Sequence, residues 1–197
     1  MNFAEQLAYW YLRLNGFLPL TNFVLHHEHN YHRTSDADII AVRFPHVFEP
    51  TGGQQDDWDD QFDHWGLWLT AETIGLIVEV KSGEWRRDEL RDHLEARHWR
   101  VSYAIRRLGM FTEQEARSVA STLCDQSIAR QGGVAVAKLL VGTTDHSAQS
   151  WLHLRLEAAA GFIRQRMKKY ANRKESDRLF FDGDLIQFLA WRGGRNL

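Results

Sequence analysis

The sequence predicts an α/β (α+β) fold, in which helices flank a central mixed β-sheet. Two nearly continuous apolar runs, residues 73–80 and 134–141, have the length and composition of strands buried on both faces. Between and around them lie segments whose apolar residues recur at helical spacing. The chain has 197 residues, of which 44% are hydrophobic, so it can bury the core of one domain with decorations. We therefore expect a single domain over residues 1–197.

The first half of the chain is expected to form one helix and three strands. Residues 3–14 carry apolar side chains at helical spacing, and Asn15-Gly16 provides a stop signal. Strands are predicted over 23–29 and 38–44, the second of which is bounded by Pro45. A biased segment, 51–63, follows and is predicted to be an acidic surface loop, before the strand over 73–80.

The second half is predicted to be mainly helical. Helices are expected over 86–108 and 112–130, the latter beginning at a capping box formed by Thr112 and Glu115. After the strand over 134–141, helices are predicted over 150–170 and 184–191, so residues 150–197 form a C-terminal helical extension. The predicted order is α-β-β-β-α-α-β-α-α.

Composition excludes several classes of protein. The single cysteine, Cys124, rules out an intramolecular disulfide and a four-cysteine zinc site. No apolar run approaches the roughly 18 residues of a membrane span, and the first residues lack the pattern of a signal peptide. We therefore expect a cytoplasmic protein with no membrane partner.

Charge is distributed unevenly. Six of the 26 acidic residues lie between Glu49 and His64, where no lysine or arginine occurs, and this acidic insert covers residues 49–64. Taking these six from 26 leaves 20 acids against 24 bases in the rest of the chain. The net charge of −2 therefore does not exclude a partner that carries phosphates, and the acidic insert offers a surface for a basic protein partner.

Two predicted strands carry acidic residues whose positions suit the binding of a metal ion. Glu79 and Lys81 are two positions apart at the end of a buried strand, so their side chains emerge on the same face. Asp38 is placed at the start of the preceding strand. If these strands pair, Asp38 and Glu79 can share a divalent cation, and their hard oxygen ligands suit Mg²⁺ or Mn²⁺.

Three segments carry a resemblance to a known family. They are Glu5-x2-Ala8-x2-Tyr11-Leu12-x3-Gly16-Phe17 in and just after the first helix, then Ser35-x-x-Asp38-Ile39-Ile40-Ala41, and then Ile77-Val78-Glu79-Val80-Lys81. This pattern resembles the PD-(D/E)XK nuclease superfamily, with its restriction-endonuclease-like core, and in particular the members similar to Holliday-junction resolvases. The resemblance spans residues 5–83. Ala37 stands where the family signature has proline, and 41 positions separate Asp38 from Glu79 because of the acidic insert.

The resemblance implies a metal-dependent nuclease that hydrolyses phosphodiester bonds, with DNA as the expected substrate and endonucleolytic cleavage. Asp38, Glu79 and the backbone carbonyl of Val80 would bind Mg²⁺ or Mn²⁺, and Glu5 would bind it directly or through water. Lys81 would orient the attacking water or help to deprotonate it, and would stabilise charge on the phosphate. By the same analogy, and from the eight tryptophans, a homodimer is expected.

Two basic stretches are candidates for contacts with the nucleic-acid backbone. Residues 81–107 contain eight bases and five acids, and residues 155–178 contain eight bases and three acids. Arg86, Arg87, Lys168 and Lys169 are the candidate phosphate-binding residues. Solvation of a charged helix face is the simpler interpretation of both stretches.

Several of these residues have alternative explanations. Glu5 has the spacing of a capping box with Asn2. Asp36 is either a second acid of the site or the cap of a turn with Ser35, and the turn is favoured. The histidines at 26, 27, 29 and 32 match no closed zinc-site spacing. Trp58, Trp65 and Trp68 can cover the core or stack on bases. The alternative function is a catalytically inactive nuclease-like domain that acts as a scaffold or partner-binding subunit.

Overall fold

A computed structural model describes residues 1–27, 30–48, 55–83, 98–143 and 150–169. These residues form an α+β structure with six strands and five helices, together with a short 3₁₀ turn at Gln55–Asp57. In chain order the elements are α1 (Phe3–Leu14), β1 (Leu18–His27), β2 (Asn30–Arg43), α2 (Gln61–His64), β3 (Thr73–Lys81), α3 (His98–Leu108), α4 (Glu113–Asp125), β4 (Ile128–Gln131), β5 (Val134–Gly142), β6 (Leu152–Arg155) and α5 (Leu156–Lys169).

The six strands form one mixed sheet in the order β1-β2-β3-β5-β4, with β6 also paired to β5. β1, β2 and β3 are antiparallel neighbours, whereas β5 runs parallel to β3. β4 pairs with the beginning of β5 and β6 with its end. The two central strands are those predicted as apolar runs, and their interior residues are almost all buried.

Helices cover both faces of the sheet. On one face, α1 packs through Ala8, Tyr11 and Leu12 against Leu76 and Val78 of β3. On the opposite face, α3 and α4 bury a second apolar cluster that includes Ile40 and Ile77. Alternate residues of β3 therefore enter different cores, as expected for a strand in a central layer. α5 packs on α1, contributes Ala159 to the main core, and contributes Ala160 and Ile163 to a smaller cluster.

The first helix has well-formed ends. Asn2 and Glu5 form a reciprocal capping box at its beginning. The helix is followed by Gly16, whose φ of 82° is in the left-handed region that favours glycine. A Cβ at this position would also lie 2.9 Å from the Val47 side chain. The predicted helix over 3–14 and its stop signal are confirmed.

The acidic segment differs from the predicted surface loop. Its second half contains the 3₁₀ turn and α2, and both Phe62 and Asp57 are almost completely buried. Phe62 packs on Tyr11 and Phe17 of the main core. Its apolar residues anchor this segment to the domain, whereas Asp56, Asp60 and Asp63 remain exposed.

Other element boundaries also require correction. The helix predicted over 112–130 ends at Asp125, and the next residues form β4. The helix predicted over 150–170 begins only at Leu156, because Leu152 and Leu154 alternate as buried residues of β6 beside β5. Each strand has only four residues, too few for its alternation to stand out beside a long helical pattern.

The two N-terminal strands are longer than predicted. β1 begins at Leu18, before the predicted strand, and β2 begins at Asn30 and includes the predicted turn at Ser35 and Asp36. The helix predicted over 86–108 is observed from His98, and its earlier part lies outside the described residues, as does the helix predicted over 184–191. Within the described residues, no helix is both long enough and apolar enough to cross a bilayer.

Candidate active site

Pairing of β2 with β3 brings Asp38 and Glu79 together. The last pair in their antiparallel ladder is Ile39 with Val78, so Asp38 and Glu79 are the next residues along the two strands. Asp38 lies in the interior of β2 and not at its start, contrary to the sequence prediction. Because Glu79 alternates with Val78 and Val80 of the first core, its side chain lies on the face covered by α3 and α4.

Specific contacts hold the three residues of this site. The backbone N–H of Val80 donates a hydrogen bond to Oδ2 of Asp38, at 2.7 Å. The ammonium Nζ of Lys81 lies 3.3 Å from Oε2 of Glu79. The Glu79 side chain is only 7% exposed, against 29% for Lys81, so the lysine lies between the buried carboxylate and solvent.

The electrostatics of Glu79 reflect burial beside a second acid. Desolvation and then the neighbouring Asp38 carboxylate raise the pKa of Glu79 from an ordinary 4.5 to about 7. A hydrogen bond between the two side chains acts in the same direction, whereas Lys81 opposes the shift. The buried Glu79 carboxyl therefore resists ionisation at this position more than a solvated glutamate does.

The donor set fits a divalent cation. Asp38 and Glu79 supply carboxylate oxygens, which Mg²⁺ and Mn²⁺ prefer, and a positive ion would offset both the repulsion and the desolvation. Among the described residues, no group of three or more histidine, cysteine, aspartate or glutamate side chains is placed to hold a metal. Further oxygen ligands would therefore come from the Val80 carbonyl, water or a substrate phosphate.

Glu5 is engaged elsewhere in the structure. Its Oε1 accepts a hydrogen bond from Nδ2 of Asn2 at 2.6 Å, and its Oε2 accepts one from the Asn2 backbone at 3.2 Å. Oε2 also lies 4.0 Å from the N-terminal ammonium. Helix capping thus occupies both oxygens of the carboxylate that the resemblance would place at the metal.

Of the four residues predicted to contact phosphate, the structure describes Lys168 and Lys169. Arg86 and Arg87 lie outside the described residues. Lys168 is exposed near the end of α5. Lys169 forms an ion pair with the buried Asp57, which also pairs with Arg166. The basic end of α5 therefore packs against the acidic segment, although the two are distant in the sequence.

The structure also bears on the predicted turn at Ser35 and Asp36 and on the four nearby histidines. Ser35 and Asp36 lie within β2, where Asp36 pairs with Val24, so the predicted turn is wrong. His26 and His27 belong to β1 and His32 to β2, whereas His29 lies outside the described residues.

The three tryptophans have structural contacts. Trp58 and Trp65 pack against the main core. Trp68 is 54% exposed, and its ring centroid lies 5.0 Å from the Arg130 guanidinium.

A buried lysine that was not predicted lies on the sheet face that carries Glu79. Lys138 is almost fully buried in β5 opposite Ile77, and its ammonium lies 5.3 Å from the Trp151 ring centroid. Along β5, Lys138 and Leu140 alternate with Ala137 and Leu139, which belong to the first core. Lys138 therefore lies on the same face as Leu140, the residue that pairs with Glu79. A lone lysine inside the apolar run 134–141 was the signal that could have identified it.

No family model, curated protein or solved structure matches this chain. The inferences about function therefore depend on the site itself.

Proposed function

We propose that this protein is a metal-dependent nuclease that hydrolyses phosphodiester bonds of nucleic acid, with DNA as the expected substrate. The observation that carries the proposal is the juxtaposition of Asp38 and Glu79 on neighbouring strands, with Lys81 beside Glu79. An antiparallel β1-β2-β3 unit, followed by a strand parallel to β3, supports the restriction-endonuclease-like core that the resemblance implies.

Asp38 and Glu79 would hold Mg²⁺ or Mn²⁺, together with the carbonyl of Val80. When bound by such oxygens, a divalent ion makes water a nucleophile near neutral pH and neutralises charge on a phosphoryl group. The Val80 N–H fixes one oxygen of Asp38, and a metal would take the place of the hydrogen bond between the Asp38 and Glu79 side chains. Binding of the metal would favour the ionised form of Glu79.

Lys81 would act on the substrate side. Its ammonium is close enough to Glu79 to be held by it and exposed enough to reach beyond the carboxylate. A cation in this position can contact a phosphate oxygen and orient an attacking water. Lys81 is therefore assigned to charge stabilisation and water positioning, and Asp38 and Glu79 to metal binding.

The alternative is a non-catalytic domain that binds a basic partner. It is favoured by the exposed acids Asp56, Asp60 and Asp63 on the acidic segment and by the ion pair that already engages Lys169. Such a domain has no need for a metal at Asp38 and Glu79, so metal binding separates the two functions.

Two measurements test the proposal. Calorimetric titration of Mn²⁺ should show binding to the wild type that Asp38→Asn and Glu79→Gln each abolish, with the exposed Glu157→Gln as the matched control. Cleavage of single- and double-stranded DNA and RNA should require Mg²⁺ or Mn²⁺ and disappear in Asp38→Ala and Lys81→Ala. Undiminished cleavage in either alanine variant would overturn the proposal. Absence of both metal binding and cleavage would favour the non-catalytic alternative.

A further inference from the structure

Asn22 has an unusual backbone conformation in the middle of a strand. Its φ of 55° makes it the one non-glycine residue with a positive φ in the described part of the chain. The left-handed region costs an L-residue roughly 1–2 kcal/mol, although asparagine tolerates it better than most. Such strain in a strand interior, with no turn to require it, calls for a physical reason.

The strand register places this irregularity opposite the candidate site. Thr21 pairs with Ile39 and Phe23 with Ala37, so Asn22 is opposite Asp38. The ladder has no pair between these two residues, although the pairs on both sides keep the same register. β1 thus departs from regular geometry at the residue that faces a proposed metal ligand.

β2 is irregular at the same point. Residues two apart in a regular strand share one face, yet Ala37 and Ile39 pack in clusters on opposite faces of the sheet. On the other side, the β2–β3 ladder ends at Ile39 and Val78. The Val80 N–H, beyond that pair, bonds to the Asp38 side chain. Asp38 is therefore outside the regular ladder on both sides.

We infer that Asn22 is a positioning residue for Asp38. Its left-handed conformation keeps β1 from forming a regular pair with Asp38 and so leaves β2 free to turn the carboxylate toward Val80 and Glu79. A residue that strongly prefers extended backbone would restore the ladder and draw Asp38 away from β3. The consequence for metal affinity rests on the proposed function, whereas the geometric part does not.

The test compares backbone preferences at one position. Asn22→Gly keeps the left-handed conformation accessible, Asn22→Ala disfavours it, and Asn22→Val disfavours it further. Thr21→Val is the matched control, since it places the same side chain on a neighbouring residue of the strand. If Asn22→Val fails to fold, Asn22→Ala gives the same comparison, because alanine disfavours the left-handed conformation less strongly than valine does.

The first readout is metal-free amide hydrogen exchange. Loss of the contact with Asp38 should accelerate exchange at Val80 about tenfold in Asn22→Val, which corresponds to the cost of the left-handed region. The Leu76 amide should be unaffected, and Asn22→Gly and Thr21→Val should match the wild type. An unchanged Val80 amide in Asn22→Val and Asn22→Ala, or equal acceleration in Asn22→Gly, would overturn the inference.

The second readout is Mn²⁺ affinity by calorimetry. Asn22→Val should weaken binding about tenfold, while Asn22→Gly should retain it. Glycine would relieve general strain as well, so general destabilisation is recognised instead by faster exchange at both the Leu76 and the Val80 amides. If the wild type binds no Mn²⁺ but the Val80 amide responds as expected, the metal-site proposal fails and the positioning role of Asn22 stands.

Discussion

Lys81 and Glu79 form an ion pair in which the cation is the more exposed partner, with Nζ 3.3 Å from Oε2. The pair does not neutralise the cost of burying Glu79, because burial and Asp38 together outweigh the effect of Lys81 on its pKa. A buried acid in this state makes stability depend on pH in a defined direction.

The first prediction concerns the pH dependence of stability. Since the pKa of Glu79 is raised in the folded state to about 7, folding favours its protonated form. The contribution of Glu79 is fully present below about pH 4 and is lost as pH rises toward and through 7. Glu79→Gln should therefore be more stable than the wild type at pH 8, by up to about 3 kcal/mol, and similar to it at pH 4. Urea denaturation at both pH values measures this difference, and a constant difference would contradict it.

The second prediction concerns the buried carboxylate of Asp57. It pairs with Arg166 and Lys169 and joins the acidic segment to α5. Asp57→Asn should cost about 3 kcal/mol or more, because it removes the carboxylate that pairs with the buried Arg166 guanidinium. Asp56→Asn, at the exposed neighbouring position, should change stability by less than about 0.5 kcal/mol. Equal effects of the two substitutions in urea denaturation would refute the role given to Asp57.

The two cations of this cluster should contribute unequally. Lys169 is 51% exposed and Arg166 only 7%. Lys169→Met should therefore cost at most about 1 kcal/mol, whereas Arg166→Met leaves Asp57 buried with less compensation and should cost several times more. Thermal or urea unfolding of the two variants measures the difference, and a larger loss in Lys169→Met would contradict this account.

The third prediction concerns Arg43, which organises the end of the main core. Its guanidinium donates to the carbonyls of Asn15 at 2.9 Å and Phe44 at 3.1 Å, and to that of Leu69, and it lies 4.2 Å from the Trp58 ring centroid. Burial lowers the pKa of Arg43 to about 10, so it stays charged at neutral pH.

Replacing Arg43 should be costly because two of its three hydrogen bonds to carbonyls, those to Asn15 and Leu69, are buried. Arg43→Met should destabilise the protein by about 3 kcal/mol or more, since several acceptors lose their donor. Arg43→Lys should recover only part of the loss, because an ammonium lacks the planar fork. Arg117→Met, on the exposed surface of α4, is the matched control for unfolding measurements. A loss in Arg43→Met no greater than in this control would be inconsistent with the contacts described.

The fourth prediction separates the two roles of Glu5. Glu5→Gln keeps the capping box and should leave both stability and Mn²⁺ affinity unchanged, whereas Glu5→Ala should cost about 1 kcal/mol. Glu115 forms the same box with Thr112 in α4, so Glu115→Gln and Glu115→Ala provide an internal control. Weaker Mn²⁺ binding in Glu5→Gln, but not in Glu115→Gln, would show that Glu5 contributes to metal binding.

The candidate site was predictable from the sequence to different degrees at different residues. Glu79 and Lys81 follow from a two-residue spacing at the end of an apolar run, which is local information. The capping boxes at Asn2 and Thr112 are local as well, and both are observed. The prediction that Asp38 lies at the start of its strand was wrong, because β2 begins well before the apolar residues on which the predicted strand was based.

Other features have weak or misleading local signals. β4 and β6 are too short for their alternation to outweigh the helical patterns beside them. In the sequence, Asp57 cannot be distinguished from the other acids of the acidic segment. In the structure, it is buried in an ion pair with Arg166.

By itself, the sequence determined the class of fold, the two central strands, the first helix with its cap, and the placement of Glu79 and Lys81 on one face of a strand, because periodicity, capping and spacing act over a few residues. Tertiary structure alone decided which strands pair, that Glu79 is buried beside Asp38, that α5 neutralises Asp57, and that Asn22 faces Asp38. These relationships join residues distant in the chain. They depend on sheet register and on the burial of charge, which exist only once the layers have packed together.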